Sequence, residues 1–363
     1  MKRLLAALTL ALSLSALPSD AWAVGSPAQG DDAGQARELV EARHWQHALA
    51  ALEKGPAPKT ADDWVLRARV QRGLRNWPAA VEAYDEALAL APGDGALLLD
   101  AGLARMAAGD YGGATLAFDK AGSLDGPSSA WARIWTFVLH RLDLVRSTER
   151  GPDGLPVSPT AQFRAWLKDQ DAAQFTTRVG QYVLGPQPNE KIEAELEREV
   201  ARRAAAGEDG GAVNGLVHAL MGARCEMIGL DGYSGNFYRE VFVDLPHDAP
   251  VFEFARARFT EMGHRLRLTP ELFFRMLIEE TEDGPACVVR FDNEDCVIWR
   301  MGLHGGDRVV AFEGLPDACD VYATIVSEIK PGDLWLLEIE RNGERREQAV
   351  VVDVRDFRMG QAR

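Results

Sequence analysis

Few residues in this chain have spacings that suggest chemistry, and each group lacks a member. His44-x-x-His47 can place two imidazoles on one helical face, but no third metal ligand follows at a usable spacing, so the pair reads as surface residues. His218 and Cys225 are seven residues apart, on one face of a helix. With Glu226 they imitate a nucleophile–base group, for which packing is the alternative reading. Ser234 sits in Gly232-Tyr-Ser-Gly235, which lacks the second spacing of a nucleophile elbow. Asp292, Glu294 and Asp295 make an acidic loop without the ligand order of an EF-hand. No glycine loop for phosphate is present, and the four cysteines (225, 287, 296 and 319) form no CxxC. A Cys287–Cys296 bridge and four small buried thiols are both open. The expectation is a protein that is not an enzyme, with no catalytic residue, metal or cofactor.

The elements around these residues carry more information. The chain has 363 residues, 47% of them hydrophobic and 26% charged, with a formal net charge of -15. That balance suits two or three globular domains. Its sign repels nucleic-acid phosphates and anionic lipid, so neither is expected as a partner. Lys2 and Arg3 precede an apolar run, Leu4 to Leu17, that is too short to span a bilayer. Pro18 and Ala21-Trp22-Ala23 then give the pattern of a cleaved targeting signal over 1–23. No later stretch is apolar and long enough for a membrane span. A periplasmic or secreted protein is expected, cut near Ala23 and followed by a small, polar leader over 24–34.

From Gln35 the pattern turns helical and repeats itself. Ala80, Tyr84 and Ala87 recur 34 residues later as Ala114, Phe118 and Ala121. Ala68 and Gly102 give the close approach that two antiparallel helices need, and Pro92 ends the second helix of its window. Residues 35–60 carry Trp45, Ala48 and Leu52 in corresponding places, and Trp131 and Trp135 lie in a further helix, Ala130 to Leu144. These windows resemble the tetratricopeptide repeat. The resemblance covers 35–145 and implies a solenoid of helix pairs that binds proteins or peptides. Helical patterns continue through 146–264 as diverged pairs. They include Ala161–Lys168, Ala172–Leu184, a charged helix from an Asn189 cap to about Ala206, Ala212–Leu230, Ser234–Leu245 and Pro250–Met262. Turns are expected at Gly185-Pro-Gln-Pro188, 207–211 and 231–235.

Over 265–356 the period changes to that of strands. Leu272–Ile278, Cys287–Phe291, Val297–Trp299, Arg308–Phe312, Trp335–Ile339 and Gln348–Val352 are short apolar or alternating runs. Asn342-Gly343 is a hairpin turn, because both residues tolerate positive φ. A helix is expected over Ala318–Ile329. Gly302-Leu303, Gly306-Asp307, Gly314 and Lys330-Pro-Gly-Asp333 at their positions resemble the framework of a PDZ domain, with Val297–Met301 as its short helix. The resemblance implies a ligand strand added between the second strand and the long helix. It assigns Leu272, Phe273, Phe274, Arg275, Met276, Leu277 and Ile278, with Tyr322, Ile325 and Val326, to that groove. At the loop that captures a terminal carboxylate, Glu271-Leu-Phe-Phe274 puts Phe273 in place of the family's glycine and adds an acid.

The fold expected is multidomain: an all-α helical-repeat solenoid, then a small mainly-β domain, with a tail over 357–363. The function expected is a non-enzymatic exported adaptor with protein or peptide partners. An accessory subunit of a secretion or protease complex and a hydrolase in the helical middle are the alternatives.

Overall fold

The computed structural model describes residues 32–146, 157–185, 190–205, 210–281, 284–291 and 296–354. The targeting signal, most of the leader, the break and cap at 186–189, the first part of the turn expected over 207–211, the acidic residues 292–295 and the tail lie outside them; Gly210 and Gly211, expected in that turn, open a helix instead. The described chain is a helix-rich region followed by a small antiparallel sheet. It divides into two compact units, the first ending at Gly229 but also taking in Asp248–Glu253, the second made of Leu230–His247 and the chain from Phe254 onward.

The first unit contains α1 (Asp32–Glu41), α2 (Trp45–Lys54), α3 (Ala61–Gly73), α4 (Trp77–Leu90), α5 (Gly95–Ala107), α6 (Tyr111–Gly122) and α7 (Pro127–Arg141). It continues with α8 (Pro159–Lys168), α9 (Phe175–Leu184), α10 (Glu190–Ala205) and α11 (Gly210–Met227). Helix α9 begins three residues later than its periodicity suggests, and α7 is shifted toward its amino end, opening on Pro127. Proline suits a first turn, where its missing N–H would have no partner.

Local chemistry sets these boundaries. Thr60 and Asp63 form a reciprocal capping box at α3, and Asn76, Asp94, Asp110 and Ser158 accept first-turn amides of α4, α5, α6 and α8. Helix starts recur every 34 residues, at Ala61 and Gly95 and at Trp77 and Tyr111. The turn inside each hairpin has a left-handed residue at the matching place: Arg43, Arg75, Gly109 and Asp143, with φ of 58°, 55°, 78° and 56°. Each helix packs on the next, and α1 also touches α3, α5 touches α7, α7 touches α9 and α9 touches α11. Phe118 of α6 lies over Gly102 of α5, where an added Cβ would meet its Cε1 at 2.4 Å. In the preceding hairpin Tyr84 is fully buried beside Ala68, and its hydroxyl accepts from Arg72 at 3.4 Å. Arg43 and Arg75, at the repeat-equivalent turns, pair with Asp248 and Glu253, the latter at 3.3 Å.

The second unit holds α12 (Asp231–Asp244), most of α13 (Pro250–Leu266), β1 (Pro270–Glu271), β2 (Phe274–Thr281), β3 (Gly284–Phe291) and α14 (Val297–Arg300). After these come β4 (Arg308–Phe312), α15 (Ala318–Ile325), β5 (Leu334–Arg341), β6 (Glu344–Val351) and β7 (Asp353–Val354). Residues 231–235, expected as a turn, are the first turn of α12, with Ser234 completely buried. The helix expected to reach Ile329 ends at Ile325, and Val326–Glu328 tighten into a 3₁₀ turn. The first apolar run enters the sheet only at Phe274: β1, just ahead of the run, pairs with β7, and Leu272-Phe273 separates β1 from β2.

The main sheet is antiparallel, in the order β2-β3-β4-β5-β6. Asn342 and Gly343, both at positive φ, join Arg341 to its partner Glu344 in a two-residue hairpin. Phe274, Met276, Val289, Val309, Leu337, Ile339 and Val350 form the core with Tyr322 and Trp335. Its glycine turns close on a buried acid. Asp307 takes two bonds from Arg341, both 2.6 Å, and one from the His304 amide at 2.8 Å. The two helices dock elsewhere on this unit. Arg300 of α14 grips Glu240 of α12 with two bonds, Arg239 reaches Asp353 at 2.7 Å, and Arg256 of α13 donates to the Gly332 carbonyl at 2.9 Å.

Candidate functional site

Strand β2 is an edge of its sheet: among the described residues it pairs with β3 alone. The direction of its peptide groups follows from its neighbours. Val289 of β3 donates to the Asp307 carbonyl and accepts from the Gly306 amide, both at 2.9 Å, so its peptide points toward β4. Met276 is its partner in register. The two are therefore a non-hydrogen-bonded pair, and the Met276 N–H and C=O face away from β3, toward the edge. Alternation gives Phe274 and Ile278 the same direction. The Phe274 carbonyl meets the Tyr322 hydroxyl of α15, which donates to it at 3.3 Å.

The side chains divide by face. Phe274 and Met276 are buried, and Ile278, next on their face, lies beyond the core and is 67% exposed. Arg275 and Leu277 point to the other face; both are exposed. Tyr322 packs on Phe274 and stands edge-on to Trp335, each with ring centroids 6.2 Å apart. Ile325 and Val326 are half-buried against the same core. Of the ten residues assigned to the groove, the structure brings Phe274, Met276, Tyr322, Ile325 and Val326 together around the core. Ile278 remains at the open end, and Arg275 and Leu277 are turned away.

Leu272 is buried, and Phe273 is half-buried with φ of 61°. An aromatic residue at positive φ holds a backbone shape that glycine adopts freely, at a cost on the order of 1–2 kcal/mol. Packing of Leu272 and Phe274 on either side holds it there.

The disulfide is not the one spacing suggested. Cys287 of β3 is bonded to Cys319 of α15, and Cys296 is a buried free thiol. Cys287 is the register partner of Ile278, so the bridge fixes the start of α15 to the sheet beside the exposed end of β2. The partner of Cys287 is set by the fold rather than by spacing. Cys296 is nine residues from Cys287, whereas Cys319 is brought back to it by the turn of β4 into α15.

The candidate chemical groups do not assemble into a site. His44 and His47 are ring neighbours at 6.1 Å, and no group of three metal-ligating side chains occurs among the described residues. Cys225 is buried, and desolvation pushes its thiol up to about 11, which leaves little thiolate for nucleophilic attack. Ser234 is buried inside a helix, and Asp292, Glu294 and Asp295 lie outside the described residues. No described helix is long and apolar enough to cross a membrane. No protein-family model matches the chain, and no curated protein matches it in sequence.

Proposed function

We propose that the protein is an exported, non-enzymatic adaptor in which a tetratricopeptide-type solenoid holds one protein and a PDZ-like unit takes an extended segment of another. The observation that carries the second half is the edge of β2, where the Met276 and Ile278 peptides face outward beside α15 with an exposed Ile278. Such an edge adds a strand: main-chain bonds supply affinity and alternate side chains supply selectivity. Phe274 contributes less, because its carbonyl already accepts from Tyr322. Pairing then runs from Met276 onward, which suits an internal extended segment better than a free carboxyl terminus. The 34-residue recurrence of helix starts, left-handed turns and the Gly102–Phe118 contact supports the repeat half.

Titration of the full chain with extended peptides, each offered as an internal segment and as a free carboxyl terminus, tests the reading. The expected result is binding of internal segments with hydrogen-exchange protection at the Met276 and Ile278 amides, and loss of binding in Ile278→Pro. Binding of no peptide, or binding that leaves those amides unprotected, rules out the β2 edge. Crosslinking of the exported protein in its native compartment tests the adaptor role, and recovery of no specific protein partner counts against it.

A further inference from the structure

Helices α6, α7 and α8, with Val145 and Arg146 after α7, line a half-open cavity of about 360 Å³, at the small end of the range for ligand pockets. One wall is aromatic. Phe137 and Phe163 are stacked with centroids 4.4 Å apart, and Trp166 lies 5.3 Å from Phe163. Leu116 also lines the cavity, 73% exposed and the most exposed large apolar side chain of the described residues. Leucine at that exposure on a cavity wall supplies apolar surface that the fold itself leaves unburied.

Arg133 borders the same space. Its guanidinium carbon sits 5.7 Å over the Trp166 ring, its stem crosses Gly122, and its Nε is buried without a hydrogen-bond partner. Asp119, the acid of the described lining, accepts from the Thr136 hydroxyl at 3.1 Å. Arg146 adds a second positive charge to the rim. Among the described lining residues the two arginines outnumber the single aspartate, in a chain of net charge -15. A guanidinium beside an indole still offers its terminal N–H groups, and two parallel donors match a carboxylate.

We propose that this cavity binds a small aromatic monocarboxylate, with its ring against Phe137, Phe163 and Leu116 and its carboxylate on Arg133. The site is independent of the β2 edge. Calorimetric titration of the full chain with 3-phenylpropionate, its primary amide and 3-phenylpropylamine provides the test. The acid is expected to bind saturably, the amide at least about tenfold more weakly and the amine not at all. Arg133→Met keeps the aliphatic cover over Gly122 and should weaken the acid at least about tenfold while leaving the amide unchanged. Leu116→Asp, at an exposed position that folding does not need, should abolish binding of the acid. Equal binding of acid and amide, no binding of the acid up to about 10 mM, or undiminished binding by Leu116→Asp overturns the proposal.

Discussion

The Tyr322 hydroxyl lies 3.3 Å from the Phe274 carbonyl oxygen and donates to it across the space between α15 and the edge of β2. The bond ties a helix to the strand that would accept a ligand, and it takes up one main-chain acceptor of that edge. Tyr322→Phe removes the donor and keeps the ring contacts with Phe274 and Trp335. Loss of one buried bond costs about 1 kcal/mol. The freed carbonyl is expected to tighten binding of a strand long enough to reach it. Urea denaturation and peptide titration of the variant check both; weaker peptide binding at unchanged stability would count against the edge as the acceptor.

The Cys287–Cys319 bridge closes a sequence separation of 32 residues that includes α14, β4 and the entry to α15. In the loop-entropy account, closure of that length contributes about 3–4 kcal/mol. Cys319→Ser should lower the denaturation midpoint of the second unit accordingly. Dithiothreitol should do the same to the wild type and nothing further to the variant. A midpoint that ignores both treatments would mean that the bridge does not form in the folded protein.

Asp100 of α5 gives a pH signature to the first unit. Burial, against the pull of Arg72 and Arg69, raises its carboxyl from 3.8 to about 6. Between those values the folded chain holds a proton that the unfolded chain has released. Stability from this group is therefore full below pH 3.8, declines as pH rises through about 6, and stays reduced above it. The loss is at most about 3 kcal/mol. Asp100→Asn is expected to remove this slope and to be more stable than wild type at pH 8. Denaturant titrations at pH 5 and pH 8 decide it, and parallel curves for the two proteins would refute the assignment.

How much of this was legible depends on which force sets each feature. Helix starts follow from caps and small–aromatic pairs that lie close in sequence, so the windows containing Gly102 and Phe118 could be found by inspection. The Asn342-Gly343 turn was equally visible, because its φ requirement is written in its residues. The left-handed Arg43, Arg75 and Phe273 carry no such mark, since arginine and phenylalanine enter that region only when surroundings hold them there. The change of period at Arg265 marks where strands begin, while the packing division falls at Leu230, because α12 is tied to β7 through Arg239 and to α14 through Glu240. The direction of the β2 peptides depends on pairing register, and the partner of Cys287 depends on tertiary return of the chain. Neither is a local property.

The Gly102–Phe118 contact offers the sharpest test of the repeat packing. A methyl at residue 102 would stand 2.4 Å from Cε1 of a completely buried ring, and neither helix has room to retreat without loosening α5 from α6. Gly102→Ala gains helix propensity, about 1 kcal/mol, but meets an overpacking cost of about 1–3 kcal/mol. The expected sum is net destabilisation. Phe118→Leu alone removes ring volume from the core and also destabilises. Together the two changes are complementary, since the smaller side chain makes room for the methyl. The double variant should therefore be more stable than the sum of the single losses predicts, with a coupling of about 1 kcal/mol or more. Denaturation of the wild type, both single variants and the double variant measures that coupling. Strict additivity would mean that α5 and α6 do not meet at this pair.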